Sequence, residues 1–210
     1  LGSIRRIPRR PDLVRWSWGL VAGVGAQVVL GAVLVKTDLD PRFTMGHFLL
    51  SMVLLWNAVV LTHKAADPRP QLAPPRIRQM IWTTGIIGSV LLISGTIVTG
   101  SGPHSGSNKA EVAERLPFIV RDVARIHAGI AIILLIVVAA LWRLSSQAGL
   151  KEIARRAQLV AALLILQGAL GYWQYFTGVP VLLVAVHITL ASLTWISIVR
   201  LQLTARSRTT

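Results

Sequence analysis

The sequence predicts an all-α integral membrane protein with six transmembrane helices, and three observations carry that reading. Apolar residues make up 53% of the 210-residue chain. They recur in runs of about 20 residues, the length that crosses a hydrocarbon core. Charged residues make up only 14% and are clumped between the runs, where a soluble domain carries roughly 25%.

The six spans fall near residues 16–36, 45–63, 79–99, 123–142, 157–176 and 182–201. Before the first lies a basic start, SIRRIPRRPDLVR. A short acidic turn, TDLDPR, joins the first two spans. A Pro-rich basic linker, HKAADPRPQLAPPRIR, leads to the third. A long polar loop rich in Gly and Ser follows, carrying His104. The basic linker RLSSQAGLKEIARR, a tight turn and a basic tail complete the chain. Trp16, Trp18, Trp82 and Trp142 near one set of ends, and Trp173 near the other, fit aromatic belts. Tyr172 and Tyr175 join Trp173 as interfacial anchors. Glycines on the spans, among them Gly19, Gly23, Gly85, Gly88, Gly168 and Gly171, read as points of close helix packing.

Charge orients the bundle. Sixteen of the 22 basic residues lie in the start, the two basic linkers and the tail. The alternate loops balance Lys36, Arg42, Lys109, Arg115 and Arg121 against five acids. The positive-inside rule then puts both termini in the cytoplasm, in a bacterial plasma membrane. The net charge of +14 serves topology and attraction to anionic lipid, so nucleic acid is not an expected partner. The absence of cysteine excludes disulfides, thiolate metal sites and Cys nucleophiles.

An internal repeat links the first two spans to the last two. Gln27 and Gln167, Leu30 and Leu170, Gly31 and Gly171, and His47 and His187 all match at one offset, 187 − 47 = 140. Each copy is a hairpin whose second helix carries a histidine just past the turn. Duplicated bundles of this kind are common in membrane proteins. The third and fourth spans have no copy, so one is expected upstream of Leu1, making an eight-helix protein of two pseudo-symmetric four-helix bundles. Gln27 and Gln167 are expected to hydrogen-bond between helices.

Few ionisable groups lie inside the spans. His47, His127 and His187 stand out because all three occupy the first part of a span running inward, and so share one depth. Intramembrane ionisable groups are costly and face the bundle interior. One such histidine is readily an interhelical hydrogen bond; three at one level call for more. Zinc usually takes more ligands than two imidazoles, with Cys or carboxylate to help. Haem iron takes two axial ligands, one from each side of a flat apolar macrocycle, and histidine serves. His127 and His187 are therefore the candidate pair, and His47 lacks a partner. His63 ends a span on the basic side and reads as interfacial. Arg121 and Arg125 either snorkel to headgroups or pair with haem propionates.

Three segments carry a family resemblance: GTIVTGSGPHSG at 95–106, RIHAG at 125–129, and LGYWQYFTGVPVLLVAVHITLA at 170–191. With them, the chain resembles the third to eighth spans of the haem A synthase family. The resemblance implies oxidation of the ring methyl of haem O to a formyl group, with haem b as cofactor. It implies that His127 and His187 ligate haem b and that His47 ligates the substrate haem. Residues 1–68 would then be the second hairpin of the substrate-haem half, 69–78 a cytoplasmic linker, and 79–205 the haem b bundle. The family's catalytic carboxylate and fourth histidine would lie on the upstream hairpin, so no catalytic residue is assigned here and this portion alone is expected to be inactive. The Cys pair of many bacterial members is absent. Expected partners are membrane lipid, haem O and haem A, haem O synthase or oxidase assembly factors, and further copies of the chain. The alternatives are a bis-His b-type cytochrome for electron transfer and a haem-free scaffold or transporter.

Overall fold

The computed structural model describes residues 10–66, 71–103 and 115–206. Six long helices dominate: α1 (Pro11–Lys36), α2 (Pro41–Ala66), α3 (Pro75–Ser101), α4 (Val120–Gln147), α5 (Lys151–Phe176) and α6 (Val181–Thr204). Each is long and apolar enough to cross a membrane. Every one extends a few residues beyond the apolar run that predicted it, because its polar ends continue helically past the hydrocarbon boundary. Pro11 and Pro75 open their helices, where the missing N–H costs nothing and the fixed φ is already helical.

Helices α3 to α6 close a ring: α3 packs on α4, α4 on α5, α5 on α6, and α6 back on α3. Helix α2 lies against α3 and α6, and α1 packs chiefly on α2. The hairpin and the bundle are tied by the Trp195 indole, which donates to the Met52 carbonyl at 2.9 Å. Two short strands, β1 (Gln71–Leu72) and β2 (Ala205–Arg206), pair in parallel and fasten the linker to the end of α6. Several span glycines do mark close packing. A Cβ on Gly88 would sit 2.9 Å from Ile198, and one on Gly19 would sit 2.7 Å from Asn57. Gly168 differs: it faces open space.

The core is uneven along the bundle axis. The large side chains that are fully buried include Ile81, Leu134, Leu141, Ile153, Ile198 and Leu201. All such residues lie in the half of the membrane layer where α3 and α5 begin and where α4 and α6 end. That end also carries Arg10, Arg15, Lys64, Arg76, Arg78, Arg143, Lys151, Arg155, Arg156 and Arg200. The opposite half holds His47, His127 and His187 and, among the described residues, no large side chain that is fully buried. Apolar side chains such as Val28, Ile86, Ile136 and Leu166 face outward, so the outer surface meets lipid.

Candidate functional site

Antiparallel connection places the starts of α2, α4 and α6 at one end. His47 lies six residues into α2 (47 − 41), His127 seven into α4 (127 − 120) and His187 six into α6 (187 − 181). At about 1.5 Å per residue, the three fall within a turn of one another. All are half-buried. His127 and His187 stand at one level on α4 and α6, which are diagonal in the ring. His47 belongs to the separate α1–α2 pair.

Each imidazole rests on a glycine of the preceding helix. A Cβ on Gly31 would lie 3.5 Å from His47 Cε1, one on Gly95 would lie 3.1 Å from His127 Cε1, and one on Gly171 would lie 3.3 Å from His187 Cε1. The absent side chain lets the ring approach the backbone closely. The nitrogen environments differ. His127 Nδ1 is 2.9 Å from the Ser94 hydroxyl, whereas Nδ1 of His47 and of His187 is buried without a hydrogen-bond partner.

Gln27 bridges α1 and α2 as expected. Its amide donates to the Ser51 hydroxyl at 2.6 Å and to the His47 carbonyl at 3.1 Å. The side-chain carbonyl oxygens of both Gln27 and Gln167 are buried without a partner. Arg121 and Arg125 sit in the exposed first turns of α4, and Arg121 pairs with Asp122 at 3.5 Å. His63 lies in the last turn of α2, at the basic end. Tyr172 and Trp173 are exposed, in keeping with an interfacial place. His104 lies outside the described residues.

Ser94 and Gly95 are the site residues that sequence reasoning missed. In two hairpins the glycine and histidine are 16 apart (47 − 31 and 187 − 171), but in the α3–α4 pair they are 32 apart (127 − 95). The long loop hides the shared arrangement. The signal that could have found it is the Gly five or six residues before the end of each odd-numbered helix.

Among the described residues, no group of three or more His, Cys, Asp or Glu could hold a bare metal ion. Two imidazoles from diagonal helices are instead the donor set of an axially ligated porphyrin iron. The glycine seats and the lack of fully buried bulk at this end fit that group.

A model of the cytochrome oxidase assembly protein family, COX15-CtaA, matches residues 2–199. The chain belongs to this family. Comparison with curated proteins and with solved structures gives no match. For a cytochrome oxidase assembly protein, the family-level activity is haem A synthesis. The match covers all six helices except the last residues of α6, so the three histidines and their glycine seats all lie within it.

Proposed function

We propose that this chain acts in haem A synthesis, with His127 and His187 as the ligands of haem b and His47 as the ligand of the substrate, haem O. The observation that supports the reading is the shared level of His127 and His187 on α4 and α6, in the half of the bundle without fully buried large side chains. Family membership supports the choice of synthase over a plain electron-transfer cytochrome.

Haem b held by His127 and His187 would supply one-electron transfer. The protein's part is positional. Gly95 and Gly171 let the two imidazoles lie against α3 and α5, which fixes where their outward nitrogens point. The apolar helices around them exclude water, as control of a reactive oxidation requires. His47, seated on Gly31, offers the same imidazole from the adjoining hairpin. Arg121 and Arg125, exposed in the first turns of α4, would pair with propionates or with lipid headgroups. The positive-inside rule puts the basic end in the cytoplasm and the histidines toward the outer leaflet.

The test is spectroscopic. The purified protein is expected to show a six-coordinate b-type haem. His127→Ala and His187→Ala should each abolish that spectrum while the protein stays folded. Normal haem content in both variants would rule out the ligand assignment. Haem A recovered after haem O is supplied to the full-length protein would establish the reaction, and its absence would leave a cytochrome.

A further inference from the structure

We infer that Ser94 is a positioning residue: its hydroxyl holds His127 in the Nδ1–H tautomer, leaving the lone pair on Nε2. This rests on the haem b reading, within which it makes the two axial ligands chemically unequal.

The geometry of one hydroxyl decides the tautomer. Ser94 is 8% exposed. Its Oγ lies 2.9 Å from the Leu91 carbonyl oxygen and 2.9 Å from His127 Nδ1. A serine hydroxyl has a single proton to donate, and a carbonyl can only accept. If that proton goes to Leu91, the ring must supply the second one, and both contacts become hydrogen bonds. If the proton goes to the ring instead, two oxygens face each other at 2.9 Å with no hydrogen between them. The first arrangement satisfies every buried group; the second does not. It also leaves Nε2 unprotonated, as a metal ligand must be.

Comparison within the molecule isolates Ser94. All three histidines sit on a glycine, but the residue before that glycine is Leu30 for His47, Leu170 for His187 and Ser94 for His127. Of these three residues only the serine carries a side-chain acceptor, and only His127 has a partner for its Nδ1 among the three. An acceptor on the distal N–H makes a ligating imidazole more basic. His127 is thus the stronger and more rigid donor of the pair, and His187 the one whose ring orientation only packing restrains. A stronger donor favours ferric iron.

The test needs two readouts on the full chain. Nitrogen NMR of the histidine-labelled, haem-free protein reads the tautomer directly. His127 should be protonated at Nδ1 in the wild type, lose that preference in Ser94→Ala, and regain it in Ser94→Thr. In the haem-loaded protein, Ser94→Ala should keep its haem but show a more positive midpoint potential and a shifted low-spin ferric EPR signal. Ser94→Thr should return both toward wild type. Ser89→Ala, which removes another back-bonded hydroxyl of α3, should change neither. An Nε2–H tautomer in the wild type, or an unshifted potential in Ser94→Ala, overturns the inference with haem b intact. A chain that takes up no haem overturns the haem b reading instead, and the nitrogen spectra still decide the tautomer.

Discussion

The α1–α2 and α5–α6 hairpins are two versions of one structure, 140 residues apart. Their turns agree in detail. Thr37 and Thr177 each end a helix, with the hydroxyl donating to the carbonyl four residues back, at 3.0 and 2.8 Å. Two consecutive residues then take positive φ, Asp38 and Leu39 in one and Gly178 and Val179 in the other. In both, the second of these donates its N–H to the carbonyl five residues back, Leu39 to Leu34 and Val179 to Gln174. In both, the histidine of the second helix lies on the glycine of the first. The differences are in what surrounds the frame. Gln27 meets Ser51, but Gln167 finds Ala191 at the matching position. Helix α5 helps to wall a closed ring, whereas α1 packs chiefly on α2. The shared features set where an imidazole sits; the unshared ones set what it can meet.

Removing the imidazoles should separate the hairpins most sharply. His187→Ala is expected to eliminate the haem b spectrum, whereas His47→Ala should leave it in place and impair only handling of haem O. Equal loss of haem b in both variants would break the proposed division of labour.

Filling the glycine seats should give a graded series. A new Cβ falls 3.1 Å from the ring at Gly95, 3.3 Å at Gly171 and 3.5 Å at Gly31. Overpacking costs roughly 1–3 kcal/mol where neighbours cannot move. Gly95→Ala should therefore lower the melting temperature and haem occupancy most, and Gly31→Ala least. The reverse order in thermal unfolding would refute the seat model.

The turns offer a smaller contrast. A β-branched residue at positive φ is strained, by roughly 1–2 kcal/mol, and Val179 sits at φ 60°. Val179→Gly should raise the stability of the α5–α6 hairpin by about 1 kcal/mol, read as a higher unfolding midpoint with an unchanged haem spectrum. Asp38→Gly should stabilise the other hairpin by less, because Asp tolerates this conformation better.

The smallest expected effect concerns the glutamines. Ala191→Ser would place a hydroxyl where Ser51 stands in the first hairpin and give Gln167 a partner. Interhelical hydrogen bonds in membranes average about 0.6 kcal/mol, so a slight gain in melting temperature is expected, with Ser51→Ala showing a slight loss. A fall on adding the serine would mean that the two hairpins diverge in backbone as well as side chain.

The sequence by itself determined the six spans, the basic end and the common level of three histidines. These depend on hydropathy, charge and position along a helix, all local to the chain. The 140-residue offset also made the Gly–His seats of two hairpins legible once turns of equal length kept them in register. Only the tertiary structure decided that Ser94 and Gly95 serve His127, because the α3–α4 loop breaks the register that would have shown it. Only the tertiary structure closed α3 to α6 into a ring, which sets His127 and His187 on diagonal helices. The uneven burial along the bundle axis was likewise invisible in the chain. Burial is a property of what several helices exclude together, and apolar residues facing lipid look the same in sequence as apolar residues facing one another.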